Sequence, residues 1–300
     1  MKVLIIGSKG FIGSHCVSFF SKEHEVWECD VVSDYVTPRY FLIDATNANY
    51  NEVMSSESFD ICINCAGAAS VPDSIKNPLR DFELNVAQVF KQLDAIRQHN
   101  PTCKYINFSS AAVYGNPTYL PIDEDHPLNP ISPYGNHKKM AEEICAEFHE
   151  NFGIQTCSLR VFSAYGPGLQ KQLFWDLHKK NESNQPIELW GTGEESRDFI
   201  FISDLVDAVD KVMQQGEFSG GAINIAFGKE EVIKEVVSSF YAELAPDKSF
   251  TFIGQTRKGD PINWCADISK LRTLGFTPSV GIKDGISLYI DWLKSMNTEH

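Results

Sequence analysis

The opening segment of the chain reads KVLIIGSKGFIG over residues 2–13. Its apolar run at 2–6 predicts a buried strand, and the glycines that follow predict a tight turn into a helix that starts at Phe11. Such a turn points unpaired backbone N–H groups and the positive end of a helix at a pyrophosphate. The spacing G-x-x-G-x-x-G lacks the first glycine pair of the G-x-G-x-x-G fingerprint, so an ordinary strand-to-helix turn is the alternative interpretation. The predicted dinucleotide contacts are Gly7, Gly10, Phe11, Ile12 and Gly13.

A second predicted strand supports the dinucleotide interpretation. Residues 24–30 read as an extended run that ends in Asp30, 17 residues after Gly13. A carboxylate at this position accepts hydrogen bonds from an adenosine ribose, and Asp30 therefore indicates NAD. The same carboxylate would repel the 2′-phosphate of NADP. Arg39, at the start of the next predicted strand, is the only candidate cation that could offset this repulsion.

Composition narrows the class of protein. The chain has 300 residues, of which 43% are hydrophobic, enough for the core of one large domain or of one domain with a smaller companion. A formal net charge of -14 argues against nucleic acid and anionic membranes as partners, because both require clusters of Lys and Arg. A first strand that begins at Lys2, and the lack of an apolar run of about 18 residues, predict neither export nor a membrane span. We therefore expect a cytoplasmic protein.

The eight cysteines are scattered, and only Cys62 and Cys65 lie close together in the sequence. Their spacing within a predicted strand directs the two side chains to opposite faces, which argues against a shared metal or a disulfide. We therefore predict small buried thiols and no metal site.

Strands and helices alternate through the first half of the chain, which predicts an α/β fold with a doubly wound parallel (Rossmann) sheet. The predicted strands are 2–6, 25–30, 39–43, 59–65, 103–108 and 154–161, and the predicted helices are 11–21, 78–99 and 133–151. Shorter elements follow, namely a helix near 169–180, a strand near 187–190 and a helix at 203–215 with Ser203 as its N-cap. We expect an NAD-binding domain (1–165 and 200–228) and a smaller C-terminal substrate lobe (166–199 and 229–300), with the site in the cleft between them.

Three residues carry the predicted chemistry. Tyr134 and Lys138 stand four apart at the start of a predicted helix, so they share one face. A phenol has a pKa near 10 and acts as a base near neutral pH only if a cation stabilises the phenolate, which Lys138 can do while it also reaches the nicotinamide ribose. Ser110 ends a strand at the carboxyl edge of the sheet and can orient the hydroxyl that is oxidised. The alternative interpretations are an ordinary exposed Tyr and Lys, and a serine that only caps the end of a strand. The order and spacing of Ser110, Tyr134 and Lys138 favour a shared site.

These motifs together resemble those of the extended short-chain dehydrogenase/reductases that act on nucleotide sugars. Matching segments run from residue 1 to about 292 and include 64–67, 85–86, 109–115, 160–162, 165–168, 191–193, 197–199 and 257–260. The resemblance implies that Asp44, Ala66 and Gly67 line the bound NAD. It implies that the substrate contacts are Ser70, Arg197, Arg257, Asp260 and Trp264. The two arginines would grip the diphosphate, because forked guanidinium donors suit phosphate oxygens; a surface ion pair for either arginine and a loop cap for Ser70 are the alternatives.

The residues after Ser110 narrow the reaction that the resemblance implies. Ala111 and Ala112 stand where similar 4,6-dehydratases have Asp-Glu. Position 112 also lacks the Glu of similar decarboxylases and the Cys of similar 3,5-epimerases. The expected reaction is therefore reversible oxidation at C4 of the sugar and return of hydride to the opposite face, which is 4-epimerisation. Two alternatives stay open: a 4-keto-6-deoxy nucleotide-sugar reductase that uses NADPH, and a non-catalytic dinucleotide-binding protein, which would be expected to lack part of the Ser110, Tyr134 and Lys138 set.

The resemblance carries two further expectations. Trp264 occupies the position at which galactose 4-epimerases place a residue that limits the substituent at C2 of the sugar. Its large indole predicts a plain hexose or 6-deoxyhexose rather than an N-acetylated sugar, and the alternative is that Trp264 is only a core residue. The resemblance also implies a homodimer formed through the helices near 81–99 and 133–151.

Overall fold

The computed structural model describes residues 1–45, 47–183, 185–255, 259 and 261–298. Its strands are β1 (Lys2–Ile6), β2 (Glu25–Asp30), β3 (Tyr40–Leu42), β4 (Ile61–Asn64), β5 (Lys104–Ser110), β6 (Thr156–Val161), β7 (Ser163–Tyr165), β8 (Ile187–Leu189), β9 (Ser196–Phe201), β10 (Ser219–Ile225), β11 (Glu230–Val232) and β12 (Phe250–Phe252). Its α-helices are α1 (Phe11–Phe20), α2 (Tyr50–Ser56), α3 (Val71–Lys76), α4 (Pro78–Phe82), α5 (Gln88–His99), α6 (Pro133–Phe152), α7 (Gln172–Glu182), α8 (Ile202–Gln215), α9 (Ile233–Leu244), α10 (Ser269–Thr273) and α11 (Ile282–Thr298). Among the helices of these residues, none has the length and apolar character of a membrane span.

A seven-stranded sheet forms the centre of the fold. Its order is β10-β6-β5-β4-β1-β2-β3, and every neighbouring pair is parallel. The chain leaves β1 in one direction through β2 and β3, and then in the other through β4, β5 and β6. The strand order therefore reverses between β1 and β4, and such sheets bind ligands beyond the carboxyl ends of the strands at this point. The predicted doubly wound α/β fold is confirmed.

Both faces of this sheet are covered, so its central strands are apolar on every side. Val3 of β1 belongs to the core on one face, and Leu4 belongs to the core on the other. Cys62 lies in the second core and Cys65 packs against the first, which confirms that the two thiols point to opposite faces. All eight cysteines are free. Within the described part of the chain, no group of three or more His, Cys, Asp or Glu is placed to hold a metal ion.

The structure departs from the predicted elements in several places. The predicted helix 78–99 is divided by a π-helical turn at Glu83–Ala87, between α4 and α5. The short helix α2, which Asn49 caps by accepting a hydrogen bond from the Glu52 N–H, was not predicted. The prediction of Ser203 as an N-cap was wrong: α8 begins at Ile202, and its N-cap is Phe201. The reason is that β9 runs into α8 without a linker, so the last residue of the strand takes the capping position.

Two smaller sheets follow the central one in the chain, β11-β9-β7 and β12-β8. Asp198 of β9 is fully buried and accepts hydrogen bonds from the N–H groups of Phe227 (3.0 Å), Gly228 (3.1 Å) and Ala266 (3.0 Å). Burial raises the pKa of this carboxyl to about 7, in opposition to these bonds, which lower it. Asp198 thereby fastens β9 to two loops from later parts of the chain.

A buried ion pair joins the sheet to α6. Arg160 of β6 donates from Nη2 and Nε to Glu142 Oε2 (2.8 and 3.2 Å), and both residues are less than 9% exposed. Its Nη1 also donates to the Tyr114 hydroxyl and to the Glu124 carbonyl, both at 2.9 Å. Two opposite charges with their hydrogen bonds satisfied are tolerated in a core, whereas one alone is not.

Arg160→Met is expected to lower the free energy of unfolding by about 3–5 kcal/mol, because it leaves the Glu142 carboxylate buried and unpaired. Urea denaturation measures the change. The double variant Arg160→Met/Glu142→Met is the matched control and should lose much less stability, since neither charge remains. Equal losses in the single and double variants would contradict this interpretation of the pair.

Candidate active site

The glycine turn between β1 and α1 is packed too tightly for side chains. Gly7 has φ +78°, and a Cβ added there would lie 2.6 Å from the backbone nitrogen of Ala66. A Cβ added at Gly13 would lie 2.0 Å from the Gly7 carbonyl oxygen. Gly10 is the N-cap of α1 and makes no side-chain capping bond. The first N–H groups of α1 therefore have no capping oxygen from Gly10, and this arrangement suits an anionic group.

Asp30 lies at the carboxyl end of β2, directly against this turn. Its Oδ2 accepts a hydrogen bond from the backbone N–H of Lys9 (2.8 Å), and its Oδ1 accepts from Val31 N–H (2.7 Å). The residue is 8% exposed. The prediction that Arg39 is the only cation relevant to this position was wrong, because Lys9 lies beside Asp30, while the Arg39 guanidinium is near Glu25 (3.5 Å).

The other residues predicted to line the cofactor follow the neighbouring strands. Asp44 is exposed beyond β3 and accepts a hydrogen bond from the Asn47 N–H (2.9 Å). Ala66 and Gly67 follow β4, where Ala66 meets Gly7 as described. A Cβ added at Gly67 would lie 3.4 Å from Lys138 Nζ. The structure thus brings β4 close both to the glycine turn and to the start of α6.

Helix α6 begins with a sequence that determines where Tyr134 lies. Ser132 is the N-cap and accepts a hydrogen bond from Gly135 N–H (3.1 Å), and Pro133 occupies the first helical position. Tyr134 follows in the first turn, and its backbone N–H donates to Ser74 Oγ (3.1 Å). Its phenol is therefore held at the positive end of a 20-residue helix, which favours an anion.

The predicted triad converges at this point. Ser110, the last residue of β5, is hydrogen-bonded to the Tyr134 phenol. Lys138 donates from Nζ to the Phe108 carbonyl (2.8 Å), and its Nζ lies 5.9 Å from the centroid of the Tyr134 ring. Ala111 and Ala112 follow Ser110 in a short 3₁₀ turn and carry no group that transfers a proton.

The pKa values at this site are dominated by burial. Burial raises the pKa of Tyr134 to about 12, and the hydrogen bond from Ser110 acts in the opposite direction. The expected lowering of this pKa by Lys138 is therefore not what the structure shows. Burial also lowers the pKa of Lys138 to about 8, in opposition to the carboxylates of Asp81 and Glu142, which raise it.

Asn85, which belongs to one of the matching segments but was assigned no role at the site, lies in the π-helical turn between α4 and α5. It is 1% exposed, and within the described residues neither of its side-chain polar atoms has a hydrogen-bond partner. A Cβ added at Gly67 would lie 2.6 Å from Asn85 Oδ1 and 3.4 Å from Lys138 Nζ, so the amide and the ammonium both lie next to Gly67. π-Helical turns occur often at functional sites, and an unpaired buried amide is costly, so Asn85 is an additional candidate site residue.

The residues predicted to bind substrate are partly described. Ser70 caps α3 by accepting a hydrogen bond from Asp73 N–H (3.2 Å). Arg197 donates from Nη1 to the Ile262 carbonyl (3.1 Å), and its guanidinium lies over the Trp264 ring, 5.5 Å from the centroid. Trp264 is 9% exposed. Arg257 and Asp260 lie outside the described residues.

Comparisons with known proteins agree with this geometry. The sequence profile of the NAD dependent epimerase/dehydratase family matches residues 3–226. The UDP-glucose 4-epimerase of Lactobacillus helveticus is 31% identical to this chain, and the alignment covers 98% of each protein. The UDP-glucuronic acid 4-epimerase of Bacillus cereus, solved with UDP-glucuronic acid and NAD, is 27% identical with a TM-score of 0.89 over 99% of this chain and 100% of that chain. The UDP-N-acetylglucosamine 4-epimerase of Methanobrevibacter ruminantium, solved with UDP-N-acetylmuramic acid, is 26% identical with a TM-score of 0.88 over 98% of each chain.

The fold and the site define an enzyme of the dinucleotide-binding Rossmann class. Because the family profile matches residues 3–226 and the Lactobacillus relative aligns over nearly the whole length, the chain belongs to the NAD dependent epimerase/dehydratase family. The predicted family and its dependence on NAD are confirmed.

The buried ammonium of Lys138 is expected to cost stability. Burial lowers the pKa of Lys138 from 10.5 to about 8, which corresponds to a destabilisation of the folded state by about 3 kcal/mol at about 1.36 kcal/mol per pKa unit. The hydrogen bond to the Phe108 carbonyl offsets about 1 kcal/mol of this. Lys138→Met should therefore raise the free energy of unfolding at pH 7 by about 2 kcal/mol. Between pH 8 and 10.5 the unfolded wild type keeps a proton that the folded form has lost, so the wild type gains stability with pH and the advantage of the variant declines.

Urea denaturation at pH 7 and at pH 10 measures both effects. Lys139→Met is the control, since that side chain is 36% exposed and should show neither the gain nor its dependence on pH. A gain for Lys138→Met that is the same at both pH values would contradict the assignment to the buried charge.

Proposed function

We propose that this chain is an NAD-dependent nucleotide-sugar 4-epimerase. The observation that carries the proposal is the convergence of Ser110, Tyr134 and Lys138 at the carboxyl edge of the sheet. Ala111 and Ala112 add no acid or base, so these residues equip the site for reversible oxidation and not for elimination of water. The relatives named above are 4-epimerases, which supports this choice within the family.

The residues around the glycine turn fit NAD. We assign the pyrophosphate to the backbone of Gly7, Gly10, Phe11, Ile12 and Gly13, a turn so close-packed that side chains at Gly7 and Gly13 would collide with neighbouring backbone. We assign the adenosine end to Asp30 and Asp44, and the surface beside the nicotinamide to Ala66 and Gly67. NAD, when bound, supplies the acceptor that takes hydride from the sugar carbon and returns it.

The protein's own residues handle the proton and the orientation of the sugar. We propose that Tyr134 takes the proton of the C4 hydroxyl during oxidation and returns it during reduction. Ser110 hydrogen-bonds the same hydroxyl and holds it against the phenol. The hydrogen bond from Ser110 favours the phenolate, in opposition to burial, and we propose that the Lys138 ammonium, 5.9 Å from the ring centroid, adds to this support. Return of hydride to the opposite face requires the oxidised sugar to turn over within the site.

We propose a UDP-hexose as the substrate, in line with the UDP ligands of the solved relatives. Arg197 and Arg257 would bind its diphosphate, with Ser70 and Asp260 as further contacts. The bond to the Ile262 carbonyl and the Trp264 ring hold the Arg197 guanidinium in place, which reduces the entropy lost on binding. That Trp264 excludes N-acetylated sugars stays a prediction, and equal turnover of UDP-N-acetylglucosamine and UDP-glucose would contradict it.

Two observations weigh against the alternative functions. A 4-keto-6-deoxy sugar reductase that draws on NADPH would need a free cation for the 2′-phosphate, whereas the ammonium of Lys9 is paired with Glu28 and Asp34. A non-catalytic dinucleotide-binding protein would not be expected to keep the complete triad. Retained NAD without consumption favours the epimerase, and stoichiometric loss of NADPH favours the reductase.

Several further features are proposed with this function. We propose a homodimer through α5 and α6, whose exposed apolar side chains include Phe90, Met140 and Phe152, 42–49% exposed. Light scattering tests the dimer. We also propose a division into an NAD-binding domain (1–165 and 200–228) and a substrate lobe (166–199 and 229–300), a cytoplasmic location and a role in polysaccharide biosynthesis.

Tyr134→Phe is expected to leave NAD binding unchanged and to reduce turnover of the UDP-hexose by about 10²–10⁴-fold, because the ring stays in place and only the proton-transferring oxygen is lost. Product formation is measured by chromatography, and NAD binding by equilibrium dialysis of the same preparations.

Tyr119→Phe is the matched control, because that hydroxyl is bonded to Asp123 on the surface and should not affect turnover. Near-normal turnover by Tyr134→Phe would refute the assignment of the base. Loss of NAD binding with loss of turnover would instead indicate a structural role.

A further inference from the structure

Lys9, in the middle of the glycine turn, is surrounded by carboxylates. Its Nζ lies 2.7 Å from Asp34 Oδ2 and 3.0 Å from Glu28 Oε2. Its backbone N–H donates to Asp30 Oδ2 at 2.8 Å. The side chains of Lys9, Glu28 and Asp34 are only 27%, 11% and 20% exposed, so these pairs are less screened than pairs on the open surface. Two carboxylates thus share the ammonium, and a third, Asp30, accepts from the backbone of the same residue, so negative charge is left in excess at this end of β2.

Further contacts of Asp34 and of the Lys9 ammonium hold these ion pairs in place. Asp34 accepts hydrogen bonds from Val36 N–H (2.9 Å) and from Thr37 N–H (3.0 Å) and Oγ1 (2.6 Å), which fix its carboxylate toward Lys9. The ammonium also lies 4.9 Å from the centroid of the Tyr40 ring. Lys9 and Thr37 hold the pKa of Asp34 well below its usual range. Burial alone would lower the pKa of Lys9, but its bonds to Asp34 and Glu28 raise it above the ordinary value, so the pair stays charged at neutral pH.

The second basic residue near this end of the sheet is directed elsewhere. Arg39 precedes β3, and its Nε lies 3.5 Å from Glu25 Oε1. Glu25 begins β2, whereas Asp30 ends it, so the Arg39 guanidinium is turned toward the amino end of that strand. Lys9 is therefore the cation that the fold places against Asp30.

We propose that Glu28 and Asp34 exclude dinucleotides with a 2′-phosphate by engaging the ammonium of Lys9, and that Lys9 binds this phosphate once both carboxylates are neutralised. The inference rests on the proposed function, because it concerns the cofactor of the same site. Asp30, at the carboxyl end of β2, stands where the adenosine ribose is bound in such folds, and Lys9 adjoins it. A 2′-phosphate there meets excess negative charge in the native chain, whereas a freed ammonium would offer it a charge-assisted hydrogen bond.

The test is equilibrium dialysis of the full chain against NAD and against NADP. Wild type is expected to bind NAD and to bind NADP more weakly. The double variant Glu28→Gln/Asp34→Asn is expected to bind NADP at least about tenfold more tightly than wild type, while its affinity for NAD changes by less than about threefold, because the nicotinamide and pyrophosphate contacts are untouched. Asp34→Asn alone should show a smaller gain in NADP affinity over wild type, which keeps the proposal testable if the double variant folds poorly.

Two further substitutions in the Glu28→Gln/Asp34→Asn background show which cation is responsible for the gain in NADP affinity. Adding Lys9→Met should abolish the gain in NADP binding, and adding Arg39→Gln should leave it. NADP binding by the double variant that equals that of wild type would overturn the inference, as would a gain that survives Lys9→Met or disappears with Arg39→Gln. A wild type that binds NADP as tightly as NAD would also overturn it. Failure of wild type to bind either dinucleotide would instead overturn the proposed cofactor, and this inference with it.

Discussion

The buried ammonium of Lys138 is the interaction on which the rest of the site depends. It lies where the ends of β4 and β5 meet α6, bonded to the Phe108 carbonyl and close enough to Gly67 that a side chain there would contact it. Such a charge is costly in a core, and the surrounding structure offsets part of the cost. Asp81, and then Glu142 one turn further along α6, raise the pKa of the lysine in opposition to burial, and Arg160 pairs with Glu142. The two carboxylates therefore support the ammonium to which we assign a role in the reaction.

Much of this arrangement could be predicted from the sequence because parallel strands end at one edge of a sheet. The glycine turn, the strand that ends in Ser110, and the four-residue spacing of Tyr134 and Lys138 are local patterns whose meeting place follows from that topology. Other features depend on tertiary contacts that no local pattern encodes. The π-helical turn that buries Asn85 interrupts a segment that reads as one helix, and the pairing of Lys9 joins the glycine turn to a loop beyond β2. The pKa of Tyr134 is raised rather than lowered because burial, which is a property of the whole fold, outweighs the hydrogen bond from Ser110.

The charge distribution connects the cofactor site with the proposed reaction. A protein with a net charge of -14 must bind a dinucleotide and a nucleotide diphosphate through a few local groups. At the glycine turn we assign that role to backbone N–H donors, because the Lys9 side chain is held by Glu28 and Asp34. An epimerase that oxidises and then reduces the same sugar has no need to exchange its cofactor in each turnover. Tight and selective retention of NAD suits such a cycle better than the repeated exchange that a reductase requires.

In the proposed reaction, one hydride leaves a sugar carbon and returns to that same carbon within a single binding event. The most direct measurement follows a UDP-hexose that carries deuterium at C4, incubated with the protein in ordinary water and analysed by mass spectrometry and NMR. We expect a C4 epimer that keeps its deuterium at C4, with no net conversion of NAD to its reduced form. Replacement of the deuterium by a solvent proton, or reduced cofactor formed in proportion to product, would contradict it.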